Sequence, residues 1–300
     1  MKKALTYLIA YSAWTVGFRL IALTLITYFL MASGAKFQEI SDTFAANEIG
    51  VIGLSSLLFV CLMRWLNPLT STTREEIFSP HRFEKRFGPG FLQGATLGLA
   101  LTLVFLLVGI YRYDGFFMQP DTPALGFLNL ALRTMALGAL VYCEEFLFRR
   151  KILGHLKARL PDVQAVLLTA LFYCAVKACQ FHLGFMHILT LFLAATALGL
   201  RANEEGDFTK SAGQWAGLLI VCHALLSLPI FGNEVQGVLL VKYRIGADAD
   251  LGTPRFLTGG SGGPLSSFLL QLILTIDVLR NVFKNKKILL NRQLQEERFQ

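Results

Sequence analysis

Two adjacent carboxylates, Glu144 and Glu145, stand at the end of a long apolar run, and Arg149 follows four residues after the second. An ionised carboxylate in hydrocarbon costs roughly several kcal/mol, so such residues are rare in membrane spans and usually functional. On a helix Glu145 and Arg149 are i and i+4 and share one face. Glu144 is rotated by about 100° and points elsewhere. One glutamate is then held by arginine while the other stays free for chemistry. A plain membrane-boundary pair, with Arg149 and Arg150 at the headgroups, is the competing use of the same residues. Further polar groups occur inside or at the ends of later apolar runs: Lys177, His182, His187, His223 and Ser227. A carboxylate with a raised pKa in a low-dielectric cavity can act as general base for water. An imidazole and side-chain donors can stabilise an oxyanion. That set fits hydrolysis of an acyl or peptide bond without a covalent intermediate.

A metal is a poor use of these residues. There is no HExxH, and His182 and His187 are five apart, an unsuitable ligand spacing for one helix face; no metal and no cofactor are expected. His187 reads as a helix-packing group. Arg19, Arg133 and Asp277 read as side chains that snorkel or pair between spans. The five cysteines, Cys61, Cys143, Cys174, Cys179 and Cys222, lie in apolar runs and form no CxxC. They read as buried thiols acting as small hydrophobes.

The elements that must position these groups are apolar throughout. The chain of 300 residues is 54% hydrophobic and 16% charged, which places it among polytopic membrane proteins. Its net charge of +8 falls between the apolar runs, as topology signals do. No basic-aromatic platform and no glycine-rich phosphate loop is present, which argues against nucleic acid and nucleotides as partners. Apolar runs cover about 4–32, 49–65, 91–111, 125–148, 163–179, 183–200, 212–231 and 264–282. Each is near the ~20 residues that cross ~30 Å of hydrocarbon. The basic start Met1-Lys2-Lys3 resembles a signal peptide, but the first run is too long for one and reads as an uncleaved span. The fold class expected is all-α, a membrane protein of about eight transmembrane helices. It forms one membrane domain in three parts: N-terminal helices and linker (1–124), a core (125–231), and a loop, last helix and basic tail (232–300).

With the N-terminus inside, 1–3, 64–86, 149–159 and the tail are net basic, as the positive-inside rule asks, whereas 201–211 is mixed, with Glu204, Glu205 and Asp207. Glu39, Asp42, Glu48, Asp114, Asp121, Glu234, Asp248 and Asp250 fall outside, together with Lys36, Arg112, Lys242, Arg244 and Arg255. Both termini are then cytoplasmic. In this topology Glu144 lies a turn or two from the cytoplasmic end of its span. His223 is roughly 16 Å and Lys177 roughly 21 Å into theirs from the same side, at 1.5 Å per residue. Glu144 and His223 would converge below the cytoplasmic surface, with Ser227 on the same face as His223 at i+4, while Lys177 would sit deeper and reach them only if a span tilts or breaks. The tail from Asn281 reads either as an amphipathic helix on the anionic leaflet or as a solvated tail.

The stretch Glu144-Glu145-xxx-Arg149 resembles the EExxxR motif of the CPBP family, the CAAX prenyl protease and bacteriocin-processing membrane proteins regarded as glutamate-type intramembrane proteases. The segment from Ser211 through Trp215 to His223 and Ser227 resembles that family's C-terminal motif, where the histidine is followed four residues on by asparagine or aspartate. The likeness covers about 125–231 and implies a CAAX-protease-like helical bundle. By this resemblance Glu144 activates water, Glu145 supports the site, Arg149 fixes the carboxylates and His223 helps form the oxyanion site. The family's middle motif, FxxxH, is changed: four residues after Phe172 stands Val176, and four after Tyr173 stands Lys177. Lys177, as a desolvated amine, or His182, through a bend in its span, would take the place of that histidine. Ser227 stands where the family has asparagine, and a serine still donates.

The function expected is an intramembrane endopeptidase of a bacterial-type inner membrane. The resemblance implies peptide or protein substrates, lipidated or sorting-tagged, and contact with membrane lipid. A non-enzymatic relative that binds a peptide, as an immunity or regulatory protein, is motivated by the missing histidine. A transporter or lipid-binding protein is the third reading, and the lack of internal repeats speaks against it.

Overall fold

A computed structural model describes residues 2–66, 72–116, 123–231, 237–252 and 254–298. Among the topology charges, Asp121 and Glu234 lie outside these residues. The side chains of Glu39, Asp42, Arg74, Arg82, Asp248 and the tail beyond 284 also lie outside the description.

Eight main helices are α1 (Lys2–Ala32), α2 (Phe37–Trp65), α3 (Gly88–Leu107), α4 (Pro123–Glu145), α5 (Asp162–Gln180), α6 (Phe185–Glu205), α7 (Thr209–Ile220) and α8 (Phe268–Arg298). The apolar runs become helices because an isolated backbone in hydrocarbon must satisfy its own hydrogen bonds. Among the described residues six helical stretches are long and apolar enough to cross a membrane: Lys2–Ala32, Asn47–Trp65, Phe83–Leu107, Gly126–Lys157, Asp162–Gln180 and Phe185–Glu205. The chain is thus an all-α protein of membrane character. The apolar run at 212–231 is helical only as far as Leu225, with twelve α-helical residues followed by five of π-helix, Val221–Leu225. The run at 264–282 opens with a 3-10 turn, Pro264–Ser266, and then forms the first half of α8, which carries Asp277 and Arg280 and continues into the tail. The run at 91–111 stops at Leu107, and Tyr111 opens a strand instead.

That strand, β1 (Tyr111–Phe116), pairs antiparallel with β2 (Leu239–Tyr243), Tyr111 facing Tyr243 and Phe116 facing Leu239, with a register break between Tyr113 and Gly115. The ribbon joins the turn after α3 to the stretch after α7.

The tightest helix pair is α3 on α7. Gly90 and Gly94 of α3 lie against the carbonyls of Lys210 and Gln214, and Gly213 and Gly217 of α7 lie against those of Phe87 and Phe91. The spacing on both helices is four, so the small residues make one stripe on each, and the two backbones meet without side chains between them. Helix α4 lies across both α2 and α7, which brings its C-terminal carboxylates into the centre of the bundle. Beyond Glu145 the helix continues as a π-turn, Phe146–Ile152, in which every residue except Arg150 is buried.

Gly94→Ala should be felt directly, since the new methyl collides with the Gln214 backbone. Overpacking of this kind costs about 1–3 kcal/mol. A lower melting temperature in detergent for Gly94→Ala, beside an equal or higher one for Gly154→Ala, a helical site where nothing lies within 4 Å of the added methyl, is the expected outcome.

Candidate functional site

Glu144 and Glu145 end α4 and face different helices, as their 100° separation requires. Glu145 turns to α7. Its Oε2 accepts from Ser211 Oγ at 3.1 Å and lies 3.4 Å from Arg149 Nε. The i, i+4 pair therefore forms, although Arg149 sits in the π-turn. Both side chains are buried. Arg149 also lies over the ring of Tyr173, 5.8 Å from its centroid.

Glu144 turns to α1 and α5, and it is not free. Its Oε2 is 2.7 Å from Lys177 Nζ, and its Oε1 accepts from the Tyr11 hydroxyl at 3.0 Å. Tyr11 Oη is in turn 2.7 Å from Ser56 Oγ on α2. Glu144, Lys177 and Tyr11 are each 1% exposed, so this is a fully desolvated ion pair. Such a pair survives only where further polar groups complete it. The Lys177–Glu144 contact is not an in-line hydrogen bond, and neither Glu144 Oε2 nor Lys177 Nζ has a hydrogen-bond partner among the described residues.

Aromatic rings enclose the rest of the ammonium. Phe231, Phe181 and Tyr173 lie 4.9, 5.2 and 5.6 Å from Lys177 Nζ. Ring faces attract a cation, by about 0.5–2 kcal/mol each. Tyr173 is shared: its ring serves both Lys177 and Arg149, and its hydroxyl accepts from Trp215 Nε1 at 3.1 Å. One aromatic residue thus sits between the two carboxylate–cation pairs.

The remaining sequence candidates lie elsewhere. His182 is exposed on the linker after α5, so the position near Glu144 falls to Lys177. His223 is buried in the π-turn that ends α7, and neither ring nitrogen has a hydrogen-bond partner among the described residues. It does not converge with the glutamates. Ser211, which touches Glu145, is twelve residues earlier on the same helix, or about 18 Å at 1.5 Å per residue. A charged group close to the His223 ring is Arg133 of α4, and the Leu228 carbonyl lies near it without the alignment of a hydrogen bond. Ser227 does not continue the His223 face, because the helix ends at Leu225. Its φ is +57°, in the left-handed region that closes helices, and its Oγ donates to Leu239 O at 2.8 Å and accepts from Gly237 N at 2.7 Å. That hydroxyl stitches the end of α7 to β2.

The pairing candidates are placed as follows. His187 Nε2 lies 3.0 Å from Gly262 O. Arg201 meets Asp277 at 2.5 Å. Arg19 pairs with Glu48 and donates to the backbone carbonyl of Gln180 at 2.7 Å. The cysteines are all free thiols; Cys143, Cys174 and Cys222 are buried as expected, but Cys61 and Cys179 are exposed. Among the described residues no three His, Cys, Asp or Glu side chains gather as a metal site would need.

Tyr11 and Ser56 were not legible as site residues, since each is a single hydroxyl in an apolar run. Comparison with family models, with curated proteins and with solved structures returns no match.

Outside the apolar core, Arg150 and Lys151 clamp Glu76 at 3.1 and 2.7 Å. Burial alone would raise the Glu76 carboxyl, but the Lys151 hydrogen bond and the charges of Lys151 and Arg150 hold it below its ordinary 4.5. A depressed carboxyl contributes its stabilisation in full above the unfolded value and loses it as pH falls through the folded one. Amide exchange in 74–77 should therefore accelerate as pH drops below about 4.5, after correction for intrinsic rates. Glu76→Gln should exchange fast at every pH.

Lys177→Met strands Glu144 in the core, a change that costs about 3–5 kcal/mol. Adding Glu144→Leu should return most of that loss, because no charge is then left unpaired. Unfolding of the two variants and the wild type in mixed micelles measures the coupling.

Proposed function

We propose that the chain is an intramembrane endopeptidase of the CPBP type, in which Glu144 and Lys177 act together on a water and a peptide carbonyl. The contact that supports this reading is Lys177 Nζ at 2.7 Å from Glu144 Oε2. It puts a cation against the glutamate from the position where the resemblance has a histidine. The run at 212–231 and the first part of α8 would complete eight spans, with Glu144 near the cytoplasmic face and both termini inside the cell.

The reaction follows from the charges. Water enters beside the pair, and Glu144 takes one of its protons while the oxygen attacks the carbonyl carbon. The carbonyl oxygen becomes an oxyanion, and the Lys177 ammonium is the nearby positive charge that stabilises it. This role falls to Lys177 because His223 lies with Arg133. The tetrahedral intermediate then collapses, the C–N bond breaks, and the proton held by Glu144 passes to the leaving amine. Glu145, Arg149 and Ser211 hold the end of α4 in place. Substrates implied by the resemblance are prenylated C-termini, bacteriocin leaders and sorting-tagged proteins.

A second reading draws on the same contact. Both oxygens of Glu144 are engaged, by Tyr11 and by Lys177, which suits a peptide-binding relative without hydrolytic activity. Membranes of a deletion strain separate the two. Under the protease reading a precursor accumulates, wild type matures it, and Glu144→Gln at equal protein level lowers the rate by at least about a hundredfold. Lys177→His should retain part of the activity and Lys177→Met none. Equal maturation by wild type and Glu144→Gln sinks the protease reading and leaves the binding protein.

A further inference from the structure

Gln180 is the last residue of α5, one turn beyond Lys177, and is 3% exposed. Arg19 Nη1 caps its backbone carbonyl at 2.7 Å. Its side chain lies beside the Tyr11 hydroxyl, the group that donates to Glu144. The alignment there is not that of a hydrogen bond. Both Gln180 Oε1 and Nε2 are buried with no hydrogen-bond partner among the described residues. A buried carboxamide with neither its donor nor its acceptor satisfied is costly and calls for an explanation.

The complement of a carboxamide is another amide, which offers one N–H and one C=O to the same plane. We propose that Gln180 binds the substrate backbone, pairing with the N–H and C=O of a residue next to the scissile bond. This rests on the protease reading above. The spacing fits: Gln180 is about 4.5 Å beyond Lys177 along α5, and an extended chain advances about 3.4 Å per residue. A backbone held this way cannot be helical, because a helix uses its own N–H and C=O groups internally. The substrate class is therefore a membrane peptide that is extended at the cleavage point. Tyr11, by holding Glu144 Oε1, keeps the carboxylate in register with that backbone and is a positioning residue.

The test uses the full chain in detergent micelles and a probe, N-acetyl-tetraleucine methylamide, with analogues in which one backbone N–H at a time is replaced by an ester oxygen. Wild type should bind the amide about tenfold more tightly than one of the esters. Gln180→Leu should bind both alike, and its unliganded melting temperature should equal or exceed that of wild type, since an unsatisfied polar group has been removed. Gln180→Met gives the same comparison with a second side chain. No binding of the probe by wild type, or an undiminished amide-to-ester ratio in both variants, overturns the proposal. Glu144→Gln separates the two ideas. Full processing by Glu144→Gln with the ester effect intact removes the protease reading alone. Lost processing by Glu144→Gln with no ester effect at Gln180 removes only this inference.

Discussion

A buried carboxylate needs a cation, and the packing around Glu144 follows from that need. Glu144 and Lys177 are both withdrawn from water, and the low dielectric that strengthens their attraction also makes either one alone very costly. Helices α4 and α5 are therefore locked at one depth. Helix α1 must reach the same point, because Tyr11 supplies the hydrogen bond to the second carboxylate oxygen. Three rings close the remaining sides of the ammonium. The pair thus ties the first helix of the chain to the middle of it, which no local propensity could do.

The second carboxylate answers a different constraint. Glu145 is served by Arg149 from its own helix and by Ser211 from α7. The π-turn after Glu145 keeps Arg149 inside while Arg150 and Lys151 reach out to Glu76. Depth on α7 is set in turn by the glycine stripe that presses it against α3. The same stripe that lets Ser211 meet Glu145 carries His223 a dozen residues away, to the level of Arg133. Position along one rigid helix accounts for both outcomes.

Much of this was legible in the residues. Apolar runs of the right length mark the six helices that are long and apolar enough to cross a membrane. The Glu145–Arg149 pair follows from i, i+4 spacing, whereas Lys177, singled out four residues after Tyr173, was placed too deep to meet Glu144 without a tilted or broken span, and it does meet it. The ends of elements were less legible. The run to Phe231 is apolar throughout, yet the helix stops at Leu225, because Ser227 takes a left-handed turn that β2 secures. The ribbon itself joins residues more than a hundred positions apart, and strand pairing of that range leaves no periodic mark in an apolar chain.

Sequence alone settled the membrane character of the chain, its helical class, and the existence of a carboxylate doublet with a neighbouring arginine. These rest on composition and on spacing within one helix, which are local. The partners of Glu144, the separation of His223 from the glutamates and the unsatisfied carboxamide of Gln180 were decided only by the tertiary structure. Each depends on the rotation and depth of one helix against another. Those are set by glycine contacts and buried charges on distant segments, and no single segment encodes them.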